Sequence, residues 1–332
     1  RPPPSGDLGG LQPQGRRLGG GLQPDSGREE EAREAAAAAV VAEVRPAPTH
    51  ATGGDSAELN ALLALQARLE SGDHDERAAA VQELKGTVLA RSFHSLGCRV
   101  VQSALDDCSI DDATDLAMEL RGHVRQACED RHANFVVAKV VAVLPAEHTA
   151  FVARELKAFA GAGVRHRFCC RIFCRVIEHA STHPDAAALI EESVARRAHE
   201  LARHEFAHFV VAHVLEHGMP EHRAIATWSL LHGELGELAK HRYGRFGLEA
   251  LFYHATRQDQ VVALEQLREE ADLVELARHE CGHTAVSAAM QGPEGARLAE
   301  ELVDSARELV ESKFGQRVLQ EAGRLLAPVR AC

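Results

Sequence analysis

The chain has 332 residues, 45% of them hydrophobic and only 4% aromatic, with a formal charge of −12 when its 20 His are counted neutral. That acidic balance argues against indiscriminate polyanion binding, which needs a basic field over the molecule, and leaves room only for a locally basic groove. No run of 18 apolar residues occurs, so no membrane span is expected.

Taken in order, residues 1–28 are rich in Gly, Pro, Arg and Gln and are expected to be disordered. Glu29–Val44, with five consecutive Ala, has high helix propensity but little to pack on, so a transient helix is expected. Residues 45–56 have linker composition. This extension carries six Arg against eight acidic residues, which leaves −10 for the remainder. The chain begins at Arg1 rather than Met, and an upstream segment is expected. Ordered structure is expected from Ala57, where Leu59, Leu62, Leu63, Leu65 and Leu69 suit a capping helix over 57–74 that closes at Ser71-Gly72-Asp73.

From Asp75 to about residue 326 one pattern recurs seven times. Its zero position is a small or compact residue: Gly97, Ala133, Cys169, Ala207, Gly244, Gly282 and Gly315, at intervals of 36, 36, 38, 37, 38 and 33. Four residues on come Val101, Val137, Phe173, Val211, Leu248, Val286 and Leu319; seven on, Ala104, Val140, Val176, Val214, Leu251, Ala289 and Ala322. Eight on, the column is apolar except at Gly323. This is the stripe of a buried helical face. Thirteen residues before the zero, Leu84, Leu120, Leu156, Val194, Leu231 and Leu302 mark a second helix; Glu269 breaks that column, and Leu267 replaces it with a local shift. The residues alone therefore predict a two-helix repeat, stacked as an all-α solenoid because no single unit can bury its own apolar face. Breakers at Pro145, Pro184, Pro220 and Pro293 fall between units, and Pro328 ends the last.

At about 100° per residue, offsets +3, +4, +7 and +8 share the core side, while +1, +2 and +5 point elsewhere. The +2 column holds Arg99, Phe135, Arg171, Phe209, Phe246, Thr284 and Arg317, six of seven planar. One planar group per repeat is what stacking on successive bases requires. The alternative is that these Phe pack between adjacent units, with Arg as a solvated spacer.

Two segments, His204-Glu-Phe-Ala-His208 and His279-Glu-Cys-Gly-His283, spell the zinc-protease motif. Offset −3 is nevertheless His in five of the seven units, three of them without the motif, so His there belongs to the repeat and suits the satisfying of a helix end. Spacing distinguishes no third ligand. Cys169-Cys-Arg-Ile-Phe-Cys174 places two Cys in repeat columns, where small-residue packing explains them better than metal or redox chemistry. The eight scattered Cys are expected to be reduced thiols of an intracellular protein. No catalytic residue, metal or cofactor is expected.

The sequence resembles the Pumilio (PUF) family of RNA-binding repeat proteins over roughly residues 75–326. The resemblance rests on Gly97-Cys-Arg-Val-Val-Gln102, Ala133-Asn-Phe-Val-Val137, Cys169-Cys-Arg-Ile172 with Arg175-Val-Ile-Glu-His179, and Phe206-Ala-His-Phe-Val-Val211 with His213-Val-Leu-Glu-His-Gly218. It implies a right-handed crescent of three-helix repeats whose inner helices bind single-stranded RNA, one base per repeat, with offsets +1 and +5 at the base edge and +2 stacking. The stackers would be Arg99, Phe135, Arg171, Phe209, Phe246 and Arg317. The first repeat supplies Cys98 and Gln102, similar to the family's adenine-reading set. The second supplies Asn134 with Ala138 where a uracil set has Gln, and the third Cys170 with Cys174. The fourth supplies His208 with Ala212. The fifth supplies Arg245 and Glu249, which can pair with each other at i, i+4. The sixth and seventh supply His283 with Ser287 and Gln316 with Gln320.

Stackers thus persist where edge readers have largely become small, which predicts RNA binding of low or short sequence specificity, since stacking tolerates any base. The family usually has eight repeats, against seven and a cap here. The resemblance implies a cytoplasmic, monomeric protein acting on mRNA 3′ untranslated regions, with room for protein partners on the convex face. Its divergent branch implies nucleolar work on structured RNA in ribosome maturation. The acidic balance and eroded readers would equally suit a solenoid that binds protein.

Overall fold

The computed structural model describes residues 53–327; the expected extension, its transient helix, most of the linker and Cys332 lie outside the described residues. The first helix, Gly53–Ser71, spans the expected start of the cap and buries Leu62, Leu65 and Leu69. Asp73 then opens the next helix with a capping box, its carboxylate accepting from the Glu76 N–H while the Glu76 side chain accepts from the Asp73 N–H.

Seven units follow, each with three α-helices, the fourth adding a 3-10 turn over Ala195–Arg197. In the first they are His74–Leu84, Val88–Ser92 and Gly97–Asp107; in the second, Ile110–Met118, Val124–Glu129 and Ala133–Val143. The inner helices of the third to seventh units are Cys169–His179, Ala207–His217, Gly244–His254, Gly282–Ala289 and Lys313–Leu326. The two-helix unit expected from the residues is therefore corrected to three, as the family resemblance implied. The added helix runs only four to six residues in these units, as in Val88–Ser92 and Val124–Glu129. That is too short to display a period of its own.

The core columns are where the spacing puts them. Val101, Val137, Phe173, Val211, Leu248 and Val286 are wholly buried, as are Leu84, Leu120, Leu156, Val194 and the shifted Leu267. Leu319, in the seventh unit, is only partly buried. Each inner helix packs against the inner helices before and after it, which makes one continuous core from repeat to repeat. The architecture is the expected α-solenoid.

One device recurs between the first units. A Glu from the outer helix of one repeat accepts from backbone N–H groups at the short helix of the repeat before: Glu119 from Gly86 (2.6 Å) and Val88 (2.8 Å), and Glu155 from Gly122 (2.7 Å) and Val124 (3.2 Å). Gly86 and Gly122 sit at φ of 81° and 84°, where only Gly is unstrained. The zero column is small for a different reason: a Cβ on Gly97 would lie 2.4 Å from the Arg91 carbonyl oxygen, so the inner helix starts against the short helix at backbone contact.

Candidate nucleic-acid interface

The first six inner helices have no capping side chain at the position immediately before them. The cap stands at offset −3. The His94 Nδ1 accepts from the Leu96 and Gly97 N–H groups at 3.2 and 3.1 Å, and His241 does the same for Tyr243 and Gly244 at 3.2 and 3.1 Å. His166, His204 and His279 repeat the arrangement. Where the second repeat has Asp130, its carboxylate accepts from His132 (2.7 Å) and Ala133 (2.8 Å); in the seventh, Ser312 accepts from Phe314 (3.3 Å). One acceptor thus satisfies two otherwise orphaned N–H groups in each of the first six repeats, and one in the seventh. An Nδ1 in that role must be unprotonated, with the ring proton on Nε2. Burial, then Arg165, lowers the proton affinity of His204; burial, then Arg203 and Arg242, lowers that of His241.

This arrangement takes the zinc-protease spelling apart. His204 is the cap, while the His208 Nδ1 faces the His204 carbonyl at 3.0 Å. His279 and His283 repeat the arrangement. Neither pair presents two free imidazole nitrogens to one point.

The +2 column lies outside the hydrophobic core. Arg99, Phe209 and Arg317 are exposed and Phe135, Arg171 and Phe246 half-buried, with Phe209 retaining 40% of its surface. Arg171 stands over the Phe135 ring at 5.9 Å, so +2 side chains of these adjacent repeats are near neighbours. In the fifth repeat Arg245 covers Phe246 at 4.1 Å.

The +1 column corrects a sequence expectation. Helical angle alone turned it away from the core, yet Cys98, Asn134, Cys170, His208 and His283 are buried. The reason lies in the neighbouring repeat. His208 stacks on Tyr243 and Phe246 of the fifth repeat, both at 5.2 Å, and lies 3.9 Å from Phe209. His283 stacks on Phe314 of the seventh at 4.7 Å. Residues at offset −1, which include Phe168, Phe206, Tyr243 and Phe314, thus form a second planar column that sequence reasoning missed. Its signal was there: five of its seven members are aromatic or His.

At +5, Gln102 is half-buried and donates to the Cys98 carbonyl at 2.9 Å; Cys174 is buried, and Glu249 pairs with Arg245 at 3.4 Å as expected. Gln316 and Gln320 are exposed. Arg245 also reaches Thr284 of the next repeat at 3.4 Å. Three atoms at the +1 and +5 offsets, Asn134 Oδ1, His208 Nε2 and Ser287 Oγ, are buried without a hydrogen-bond partner. Burial also pushes the His208 imidazole down to about 4, overcoming the His204 and Glu205 carbonyls that favour its proton. Lys139 and Arg175, both at offset +6, are ion-paired, to Asp106 and Glu178. Among the described residues no helix is long and apolar enough to cross a membrane, and all seven described Cys are free thiols.

Seven stacked three-helix units, with planar side chains at one or both of two fixed offsets in every inner helix but the sixth, define an α-solenoid. The Pumilio-family RNA binding repeat is matched over residues 90–121 and 197–225, the first repeat's inner helix and the fourth's. Fem-3 mRNA-binding factor 1 of Caenorhabditis elegans is 27% identical over 182 residues, covering 48% of this chain and 29% of the relative; factor 2 is 26% identical over 181 residues, covering 48% and 28%. The chain thus spans under a third of the length of these relatives. Among solved structures, PUF-8 in complex with PBE-RNA superposes with a TM-score of 0.71 at 19% identity, covering 80% of this chain and 79% of that one. The Puf4 RNA binding domain bound to an HO endonuclease RNA 3′ UTR recognition sequence superposes at 0.67 with 14% identity, covering 81% and 90%. The chain is thus similar to Pumilio-family repeat proteins in part of its sequence and has their solenoid fold.

Proposed function

We propose that this chain is a non-catalytic binder of single-stranded RNA, holding one strand along its inner helices and acting on mRNA after transcription. The observation that carries this reading is the set of desolvated, unpartnered atoms on the inner helices: Asn134 Oδ1, His208 Nε2 and Ser287 Oγ, all at the offsets that would meet base edges. A buried polar group left unpaired costs about 1–3 kcal/mol, which a hydrogen-bonding ligand would recover. Beside them stand Arg99, Phe135, Arg171, Phe209, Phe246 and Arg317, the planar groups that a base can stack on. The relatives named for mRNA binding, and the neighbours whose structures hold RNA, support the same reading.

Specificity should be low. Cys98, Cys170 and Cys174 offer only weak hydrogen bonding, and Glu249 and Arg245 hold each other. Because Lys139 and Arg175 already have carboxylate partners, phosphates must displace Asp106 and Glu178. Affinity is therefore modest and falls with salt. We assign the repeat domain to 57–327, preceded by an extension over 1–56, and infer a cytoplasmic site of action. Fluorescence anisotropy with random and A/U-rich single strands and a duplex of equal length tests the proposal. Both single strands should bind within a few-fold of each other and the duplex more weakly. Absence of binding to either single strand would refute it.

A further inference from the structure

A second chemistry sits where the inner helices of the third and fourth repeats meet. His213 and His217 are one turn apart on Ala207–His217 and so project from the same face. Glu178 faces them from Cys169–His179. One donor atom from each lies within 4.8 Å of the other two, with His213 Nε2 2.7 Å from Glu178 Oε1. The Glu178 oxygens are divided in their contacts: Oε2 holds Arg175 and lies 3.5 Å from His179 Nε2, while Oε1 is turned toward His213. That division is the arrangement in which outer contacts orient a ligating carboxylate. The Glu178 side chain is 15% exposed, His213 30% and His217 44%, so the cluster opens to solvent on the His217 side.

We propose that Glu178, His213 and His217 form a divalent zinc site that fastens the third repeat to the fourth. Two imidazoles and one carboxylate suit Zn²⁺, whereas Mg²⁺ and Ca²⁺ want oxygen alone. With metal–ligand bonds of about 2.0–2.2 Å, tetrahedral donors stand about 3.3 Å apart. Glu178 and His213 must separate slightly to admit the ion, and the exposed His217 side chain turns inward to complete three ligands. The fourth position, on the open side, goes to water. Glu216, whose carboxylate lies 3.6 Å from His217 Nε2, gives up that contact. This site is separate from both zinc-protease spellings, shares Glu178 with the Arg175 pair that a phosphate would displace, and replaces the expectation that the chain holds no metal.

The test is titration of the metal-free chain with Zn²⁺ by isothermal calorimetry, with the melting temperature recorded alongside, for wild type, His217→Gln and Glu178→Gln. His217→Gln alters an exposed side chain and leaves the Glu178–His213 contact in place, so the metal-free variant should melt with wild type. Wild type should take up one equivalent and melt higher with zinc. Each variant should bind at least tenfold more weakly and lose that rise. Mg²⁺ should produce neither effect. Absence of uptake by wild type, or equal uptake by both variants, would overturn the proposal, the latter by locating the metal on the thiols.

Discussion

Lowering the pH should destabilise the junction of the fourth and fifth repeats through one side chain. His208 is 3% exposed, lies among Phe209, Tyr243 and Phe246, and leaves its Nε2 without a partner. Its proton affinity falls from the ordinary 6.5 to about 4 in the folded chain. The unfolded chain therefore takes up this proton first. The group's contribution is fully present above about 6.5 and is lost progressively as pH falls toward 4. At roughly 1.4 kcal/mol for each pH unit of difference, the loss amounts to about 3 kcal/mol. The perturbation is His208→Phe, which keeps a stacking ring and removes the titration. Urea unfolding of both chains at steps from pH 7 to pH 4 isolates the group, because the other histidines and carboxylates are common to both. Wild type should lose about 3 kcal/mol more than the variant over that range. Parallel pH curves would refute the assignment of a buried, neutral His208.

Other positions give equally direct expectations. Asp130→Ala removes the cap of the second inner helix and should cost about 1 kcal/mol in denaturant unfolding, with Asp130→Asn near wild type. Gly97→Ala drives a Cβ against the Arg91 carbonyl and should destabilise by about 1–3 kcal/mol, whereas Ala133→Gly in the same column should cost only about 0.5–1 kcal/mol. Lys139→Ala should lower the slope of log affinity for RNA against log salt by about 0.7, the value for one phosphate contact on a single strand. An unchanged slope would remove Lys139 from the groove.

Much of this molecule can be read from spacing, and the exceptions share a physical cause. Val101, Val137 and Leu248 are legible as core because each helix shows its apolar side in its own periodicity. The burial of His208 and His283 is not, since the surfaces that cover them belong to Tyr243, Phe246 and Phe314 in the next repeats. A helical projection has no access to such neighbours. The recurrence of His at offset −3 signalled a helix-end role. The geometry adds that Asp130 and Ser312 serve the same end, which three different residue types had concealed. The +2 column was legible because it repeats, and Phe135, Phe209 and Phe246 lie outside the core. Glu178, His213 and His217 come together only through the stacking of two repeats, and no contiguous motif announces them.

The account depends most on the +2 side chains as the surface that receives a strand. Equilibrium anisotropy of a labelled single-stranded RNA with wild type and with Phe135→Ala/Phe209→Ala measures that directly. With stacking worth roughly 1–3 kcal/mol per base, the double variant should bind at least tenfold more weakly while melting within a few degrees of wild type. Undiminished affinity in the double variant would contradict the account.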